Sequence, residues 1–413
     1  MSLPAVSVVI VSRHRPQALL RCLTGVAQLD YAPLEVVVVG CPQAERTVAT
    51  RPDAGQIKVV PYDTANISAA RNLGVAHAAG EIVAFLDDDA VPEPLWLRHL
   101  VQPFAQPDVV AAGGTVLGRN GISLQWGSSS VDASGESHPL SLDSDAPVAL
   151  SPVQGRAIRT EGTNMAFRRE VLADIGGFDP AFHYFLDETD LNMRIAAQGH
   201  EVAHVPLAVV HHGFAASALR LPDRAPRDLF EIGASKAVFL RKHCPKSLQP
   251  AAWKRFEKEQ RLRCLRHMQT GALTPDDVVR LMRRLRAGYV EGQGRRLDRL
   301  PPIPRAAHGF RPFQAAPDAP RFILSGWAWH RRALAARAAS LVGSGAIVSV
   351  YRFSPSALFH HVRFRSAGYW EQAGGLFGRS VRTGRLFRAV RLKTRVRQEA
   401  ARVAPVRGAD SGV

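Results

Sequence analysis

Three apolar runs rich in β-branched residues, "AVSVVIV" at 5–11, "LEVVVV" at 34–39 and "EIVAFLD" at 81–87, most constrain how this 413-residue chain folds. A strand that is apolar on both faces has to be covered on both faces. Parallel sheets flanked by helices do this, and half-exposed hairpins do not. The stretches between the runs supply the helices. "PQALLRCLTGVAQL" (16–29) opens on proline and repeats its apolar residues at helical spacing. "NISAARNLGVAHAAG" (66–80) is Ala-rich, with Asn66 or Ser68 as cap and Gly80 as stop. "IKVV" (57–60) adds a short strand. The alternation predicts an α/β fold with a Rossmann-like, mostly parallel sheet, whose ligands bind at the carboxyl ends of the strands.

The chain is long enough for two or three domains. Its composition, 46% apolar and 22% charged, is that of a globular protein. No run approaches the 18 or so apolar residues of a membrane span. The N-terminus reads as a first strand rather than a secretory signal. Cys22, Cys41, Cys244 and Cys264 are scattered, which suits reduced thiols in the cytoplasm. Cys244 with His243, and Cys264 with His267, fit no standard zinc spacing. Residues 119–160, rich in Ser, Gly, Asp and Pro, read as a long loop region where a second substrate enters. Order returns with "TNMAFRREVLADIGGFDP" (163–180), a helix over "DETDLNMRIAAQGH" (187–200) and a strand over "EVAHVPLAVVHH" (201–212).

At 87–89, three aspartates follow the fourth apolar run directly. Adjacent like charges repel, so Asp87, Asp88 and Asp89 either dissolve in water at a turn or face something positive. An Asp-x-Asp at a buried strand's end suits Mg²⁺ or Mn²⁺, which take oxygen ligands and share them with substrate phosphates. A bound dication also relieves the repulsion.

The order of the motifs resembles that of the family 2 glycosyltransferases, inverting enzymes of the GT-A fold. The motifs are Arg15-Pro16, "ARNLG" (70–74), "FLDDD" (85–89), "GTNMAFRR" (162–169), "GGFD" (176–179), "DETDLNMR" (187–194) and His212, and the resemblance covers roughly residues 5–245. It implies a domain over 1–215 that binds a nucleotide-diphosphate sugar, with a helical extension over 216–300. Asp87 and Asp89 would be the metal-binding DxD pair, Asp87 turned toward the nucleotide. His212 would complete the metal or diphosphate shell, with His211 as the fallback. Ser12, Arg15, Arg71, Asn72, Asp88 and Asn164 would line the donor site. Glu188 takes the catalytic-base position, where the family usually has Asp, with Asp187 and Asp190 beside it. A helix N-terminus favours its ionised form. Asp190 and Arg194 stand one turn apart and suit an ion pair. Two departures stand out. His14 replaces the usual Asn before Arg-Pro. Gly40 and Cys41 replace the Asp that usually ends the second strand, which leaves Asp63 or another group to hold the base.

Charge divides the chain. Residues 1–214 carry 14 basic and 23 acidic side chains, and residues 215–413 carry 39 and 13. The second half holds helices over 227–243 and 274–290, a proline-rich joint over 301–321 and a strand candidate over 346–353. It has no zinc-finger, helix-turn-helix or RNP signature, so no nucleic-acid partner is expected. "SGWAWHRR" and "GYWEQAGGLFGRS" resemble an extension of some bacterial members of the family. Within the basic region 301–413, residues 376–396 alternate apolar side chains with six Arg and one Lys at roughly helical spacing. That pattern suits a helix lying on an anionic membrane surface, ahead of a disordered last ten residues or so. It equally suits an ordinary packed helix. The expectation is a cytoplasmic glycosyltransferase, peripheral on the membrane, acting on a glycan or lipid-linked acceptor in envelope or exopolysaccharide synthesis. Two other readings remain: a sugar nucleotidyltransferase, which would want a Gly-rich phosphate loop after the first strand, and a non-catalytic basic binding protein on the same scaffold.

Overall fold

The computed structural model describes residues 3–142, 144–153, 155–213, 219–221 and 223–409. Strands β1 (Val6–Ser12), β2 (Leu34–Gly40), β3 (Ile57–Pro61) and β4 (Ile82–Asp87) are parallel and lie in the order β3-β2-β1-β4. Helices α1 (Pro16–Val26), α2 (Pro42–Ala49) and α3 (Ile67–His77) connect them. Alternate residues enter opposite cores, as the pleat requires. Val6, Val8 and Ile10 join the core on one face, and Val9 joins the core on the other. Asn66 caps α3 by accepting from the Ala69 amide.

After β4 the chain forms β5 (Ala90–Pro92), α4 (Trp96–Leu100), β6 (Val109–Leu117), β7 (Leu124–Trp126), β8 (Ser129–Asp132), β9 (Ser137–Pro139), β10 (Val148–Leu150) and β11 (Arg156–Ile158). β8, β9 and β11 make a small antiparallel sheet, so 119–160 is more ordered than a loop. Strands of three or four residues are too short to leave a periodic signal. β12 (Asn164–Arg168) then inserts antiparallel between β4 and β6. α5 (Arg169–Asp174) and α6 (Asp187–Ala197) lead into β13 (Glu201–His212). β13 pairs with β6 and, through its last residues, with β5, which sets His212 opposite Ala90.

The boundary expected at 215–216 lies outside the described residues. Helices α7 (Phe230–His243), α8 (Gln249–Gln269) and α9 (Pro275–Gly294) follow. Gly233, Gly288 and Gly292 let α7 and α9 meet backbone to backbone. Thr274 and Asp277 form a capping box at the start of α9. Cys244 and Cys264 are buried in separate apolar clusters, and no disulfide joins the cysteines. The proline-rich joint is strapped to the first sheet. The Phe313 amide donates to Leu34 O (2.7 Å) and the Arg311 amide to Glu35 (3.0 Å).

Residues 321–375 fold around a third sheet, of four strands, of which the sequence showed one strand. It consists of β14 (Arg321–Trp327), helix α10 (Arg331–Gly343), β15 (Ile347–Ser354), β16 (His361–Phe364) and β17 (Trp370–Gly375), in the order β14-β15-β17-β16. The helix expected over 376–396 is corrected. The helix α11 runs Leu392–Arg407, and 376–391 is irregular. Gly378 and Gly384 interrupt the pattern, and a side chain at Gly378 would strike the Leu358 carbonyl. Leu376 and Val396 face inward onto Tyr351 and Phe353. α11 reaches Arg407, inside the start of the stretch expected to be disordered; residues 410–413 lie outside the described residues.

The end of α11 docks on the first domain. Arg407 grips buried Glu93 through two bonds (2.8 and 2.6 Å) and lies 4.4 Å over the Trp370 ring. His211 Nε2 stands 2.8 Å from the same carboxylate. Burial opposes the Glu93 charge, but Arg407 and His211 overcome it and hold the carboxyl at about 2. A carboxyl lowered by folding stabilises the protein above its unfolded value and loses that contribution as pH falls toward the folded one. The pair's contribution, on the order of 3 kcal/mol, should therefore drain away between about pH 4.5 and pH 2. Arg407→Met should cost about 3–5 kcal/mol at neutral pH, because it leaves a buried, unpaired carboxylate. Urea unfolding of both proteins at neutral pH, and of the wild type down to about pH 2, checks both values.

Candidate active site

The site grows from the end of β4. Its apolar residues Val83–Leu86 run into the sheet, and the chain then turns over the three aspartates into β5. Each carboxylate meets different partners. Asp87, the most exposed, accepts from Thr163 Oγ1 (2.6 Å) and lies 3.6 Å from Arg71. Asp88 is fully buried, accepts from Ser12 Oγ (2.7 Å) and pairs with Arg15 (2.6 Å). Asp89, also buried, stands 3.2 Å from His212 Nε2, 3.3 Å from Arg220 and 3.4 Å from Arg15. Burial pushes Asp88 up to about 7, against Arg15 and with help from Asp89. Burial also opposes charge on Asp89, but His212, Arg15 and Arg220 outweigh it and hold that carboxyl well below its usual range.

Ligand atoms of Asp87, Asp89 and His212 lie within 4.8 Å of one another. Two carboxylates and one imidazole are a donor set that fits Mn²⁺, and Mg²⁺ if water and phosphate complete its shell. His211 is the wrong neighbour. Side chains alternate along β13, so His211 faces Glu93 and Trp370 (ring centroids 4.8 Å apart).

The second wall is the start of α6. Phe185 and Leu186 both hold positive φ (75° and 66°), an unusual backbone that aims Asp187 and Glu188. Arg71 joins the two walls. It donates to Asp187, donates to Gly162 O (3.1 Å) and reaches Asp87. A side chain at Gly162 would press on that guanidinium and displace it. Burial pushes the Asp187 carboxyl upward; Arg71 opposes this and Glu188 adds to it. Glu188 is half-buried, 3.8 Å from Arg159, which also pairs with Glu161 (3.3 Å).

Three expected site residues lie elsewhere. Asn72 clamps the "GGFD" turn, donating to Phe178 O (2.7 Å) and accepting from Phe178 N (2.8 Å). Asn164 is fully buried and joins Trp96, Thr115 and Ala208. Asp190 pairs with Arg194 as expected, and also with Lys242 and His243, so it anchors α7 rather than facing the cleft. Asp63 sits beside Arg13 (2.9 Å) and His14 (3.5 Å), close to Cys41. Arg159, Glu161, Thr163 and Arg220 were missed. "EGTN" hinted at Glu161 and Thr163, while Arg220 follows the last motif and carried no signal. Burial pushes Glu161 up to about 7, with Arg159 opposing and Asp87 adding.

A mostly parallel sheet whose fourth strand ends in this carboxylate and imidazole cluster, closed by an antiparallel strand and a second acidic wall, is the GT-A fold. The chain matches the model of "Glycosyltransferase like family 2" over residues 4–225, more than half its length, and belongs to that family. It is 29% identical over 221 residues to a glucosyl-dolichyl phosphate glucuronosyltransferase of Haloferax volcanii, covering 50% of this chain and 68% of that one. It is 30% identical over 249 residues to a pre-mycofactocin glycosyltransferase of Mycobacterium tuberculosis, covering 57% of this chain and 48% of that one. A mannosyltransferase of Pyrobaculum calidifontis, solved in complex with GDP-Man and Mn²⁺, is 19% identical, with a TM-score of 0.42 over 71% of this chain and 88% of that one. That likeness is distant and concerns the fold alone.

If Asp89 and His212 hold the ion, Mn²⁺ with a nucleoside diphosphate should stabilise the wild type by about 2.7 kcal/mol at 100 times Kd. Asp89→Ala and His212→Ala should abolish that gain, and Asn72→Ala should keep it. Thermal shift with UDP, dTDP and GDP measures this.

Proposed function

We propose that the protein is an inverting glycosyltransferase that moves a sugar from a nucleotide-diphosphate donor to an acceptor hydroxyl. The observation that carries this reading is Arg71, which ties Asp87 at the donor end to Asp187 at the acceptor end and so fixes Glu188 across the cleft from the aspartates. Asp87, Asp89 and His212 would hold Mg²⁺ or Mn²⁺. When bound, the ion neutralises charge developing on the leaving diphosphate. Glu188 accepts the proton of the acceptor hydroxyl, and the oxygen attacks the anomeric carbon from the face opposite the diphosphate as the bond to the diphosphate breaks. Arg159 and Arg71 orient this carboxylate wall. Asp63, at the far end of the donor groove, takes over recognition of the base from the missing acid at 40–41.

The acceptor is a glycan or a lipid-linked sugar, a reading supported by the dolichyl-phosphate substrate in the name of the Haloferax relative. Envelope or exopolysaccharide synthesis at the cytoplasmic face of a membrane fits that acceptor. Among the described residues no helix is long and apolar enough to cross a membrane. The working division of labour is 1–215 for catalysis, 216–300 as a helical extension and 301–413 as the basic module. The complete set Asp87, Asp89 and Glu188 speaks against a non-catalytic scaffold.

Glu188→Gln keeps size and hydrogen bonding but removes the base. It should lower kcat for transfer by about 10²–10⁴-fold with little change in donor KM. The stabilisation by Mn²⁺ and nucleotide should survive. A screen of nucleotide sugars with Mn²⁺, wild type against variant, reads this. Turnover within a few-fold of wild type would remove Glu188 as the base.

A further inference from the structure

β14, β15 and β17 are parallel, so the segments that leave their carboxyl ends gather at one edge of the C-terminal sheet. These segments are 328–332, 355–360 and 376–391. The last two are bound to each other and to the end of β17. The Phe377 amide donates to Ser356 O (3.0 Å), the Gly375 amide to Leu358 O (2.9 Å) and the His360 amide to Arg379 O (2.9 Å). Trp327 and Phe377 pack on one cluster beneath, and carry Trp329 (ring centroids 5.3 Å from Trp327) and Phe387 (5.3 Å from Phe377) outward.

This edge is unusual in what it leaves in solvent. Trp329, Leu358, Phe359, Leu386 and Phe387 are 59–66% exposed. On the same segments Arg331, Arg332, Arg382, Arg385, Arg388 and Arg391 are all exposed, and Arg379 lies 5.6 Å over the Phe359 ring. None of the three segments contains an acidic residue. Large exposed apolar groups set close together mark an interaction surface.

We propose that this edge docks on an anionic lipid bilayer, with the leucines and aromatic rings entering the headgroup–acyl boundary and the arginines meeting lipid phosphates. A soluble polyanion would need the arginines alone. The aliphatic side chains Leu358 and Leu386 need hydrocarbon, and an exposed Trp suits the membrane interface. The surface is a set of loops on a rigid sheet, distinct from a single amphipathic helix, and it does not depend on which reaction the first domain performs.

Vesicle co-sedimentation of the full chain tests it. Vesicles of phosphatidylcholine containing a third phosphatidylglycerol should retain the protein at least about tenfold better than phosphatidylcholine alone, with salt weakening the binding. Leu386→Ser with Phe387→Ser leaves every charge in place and should cost about tenfold or more in partitioning. The same pair should leave the melting temperature and binding to dextran sulfate unchanged. Brominated lipids should quench wild-type tryptophan fluorescence more than that of Trp329→Phe. Equal retention on neutral vesicles, wild-type partitioning by the double variant, or binding to the soluble polyanion without binding to vesicles would overturn the proposal.

Discussion

Three neighbouring carboxylates can end a buried strand only if each is offset separately, and the rest of the first domain is arranged around that requirement. Asp88 is sealed under β1, where Ser12 and Arg15 hold it. Asp87 and Asp89 point to either side and meet Arg71 and His212. The offsetting groups come from α3, from β13 and from the turn after β1, which converge only when the doubly wound sheet has closed. Their attraction is strong because water is largely excluded, and the same exclusion makes any unpaired charge there costly. A divalent ion between Asp87, Asp89 and His212 would add positive charge to a cluster that Arg15, Arg71 and Arg220 already offset, charge that a nucleotide diphosphate would balance.

The same logic extends to the C-terminal module. His211 and His212 are adjacent on one strand and face opposite ways. One stands beside Asp89 and the other beside Glu93, which Arg407 holds from 314 residues away in sequence. The strand that presents the candidate metal ligand is therefore pinned from behind by α11. The module does more than append positive charge. Its last helical turn holds the Glu93 that His211 meets, one residue along β13 from His212.

How much of this the sequence made legible follows from the range of each interaction. The parallel sheet was readable because the apolar runs at 5–11, 34–39 and 81–87 each record burial on both faces locally. Asp87, Asp89 and Glu188 were readable because ordered motifs surround them. Asn72 and Asn164 lie inside those motifs yet serve the backbone. A side-chain amide looks the same in sequence whether it binds a ligand or clasps a turn such as Phe178. Arg220, Arg159 and the Glu93–Arg407 pair left no trace, since the partners they meet are brought together only by tertiary structure. The pattern at 376–396 misled for a related reason. Leu376, Phe377 and Val390 do reach one core, but from an irregular chain that Gly378 and Gly384 permit, while Leu386 and Phe387 of the same pattern stay in solvent.

The departure at the end of β2 has a steric cause that bears on the donor. A side chain at Gly40 would collide with Ala44 and with the Ser12 carbonyl, so the strand closes tightly on β1 at the point where an acid usually sits. Cys41 is buried there and accepts from the His14 amide (3.3 Å). An ionised aspartate in its place would be buried beside His14 and close to the Asp63 carboxylate, and desolvation and like charge would both work against it. Asp63, one strand further out, is half-exposed and already neutralised by Arg13. A carboxylate carried just after β3 avoids that desolvation.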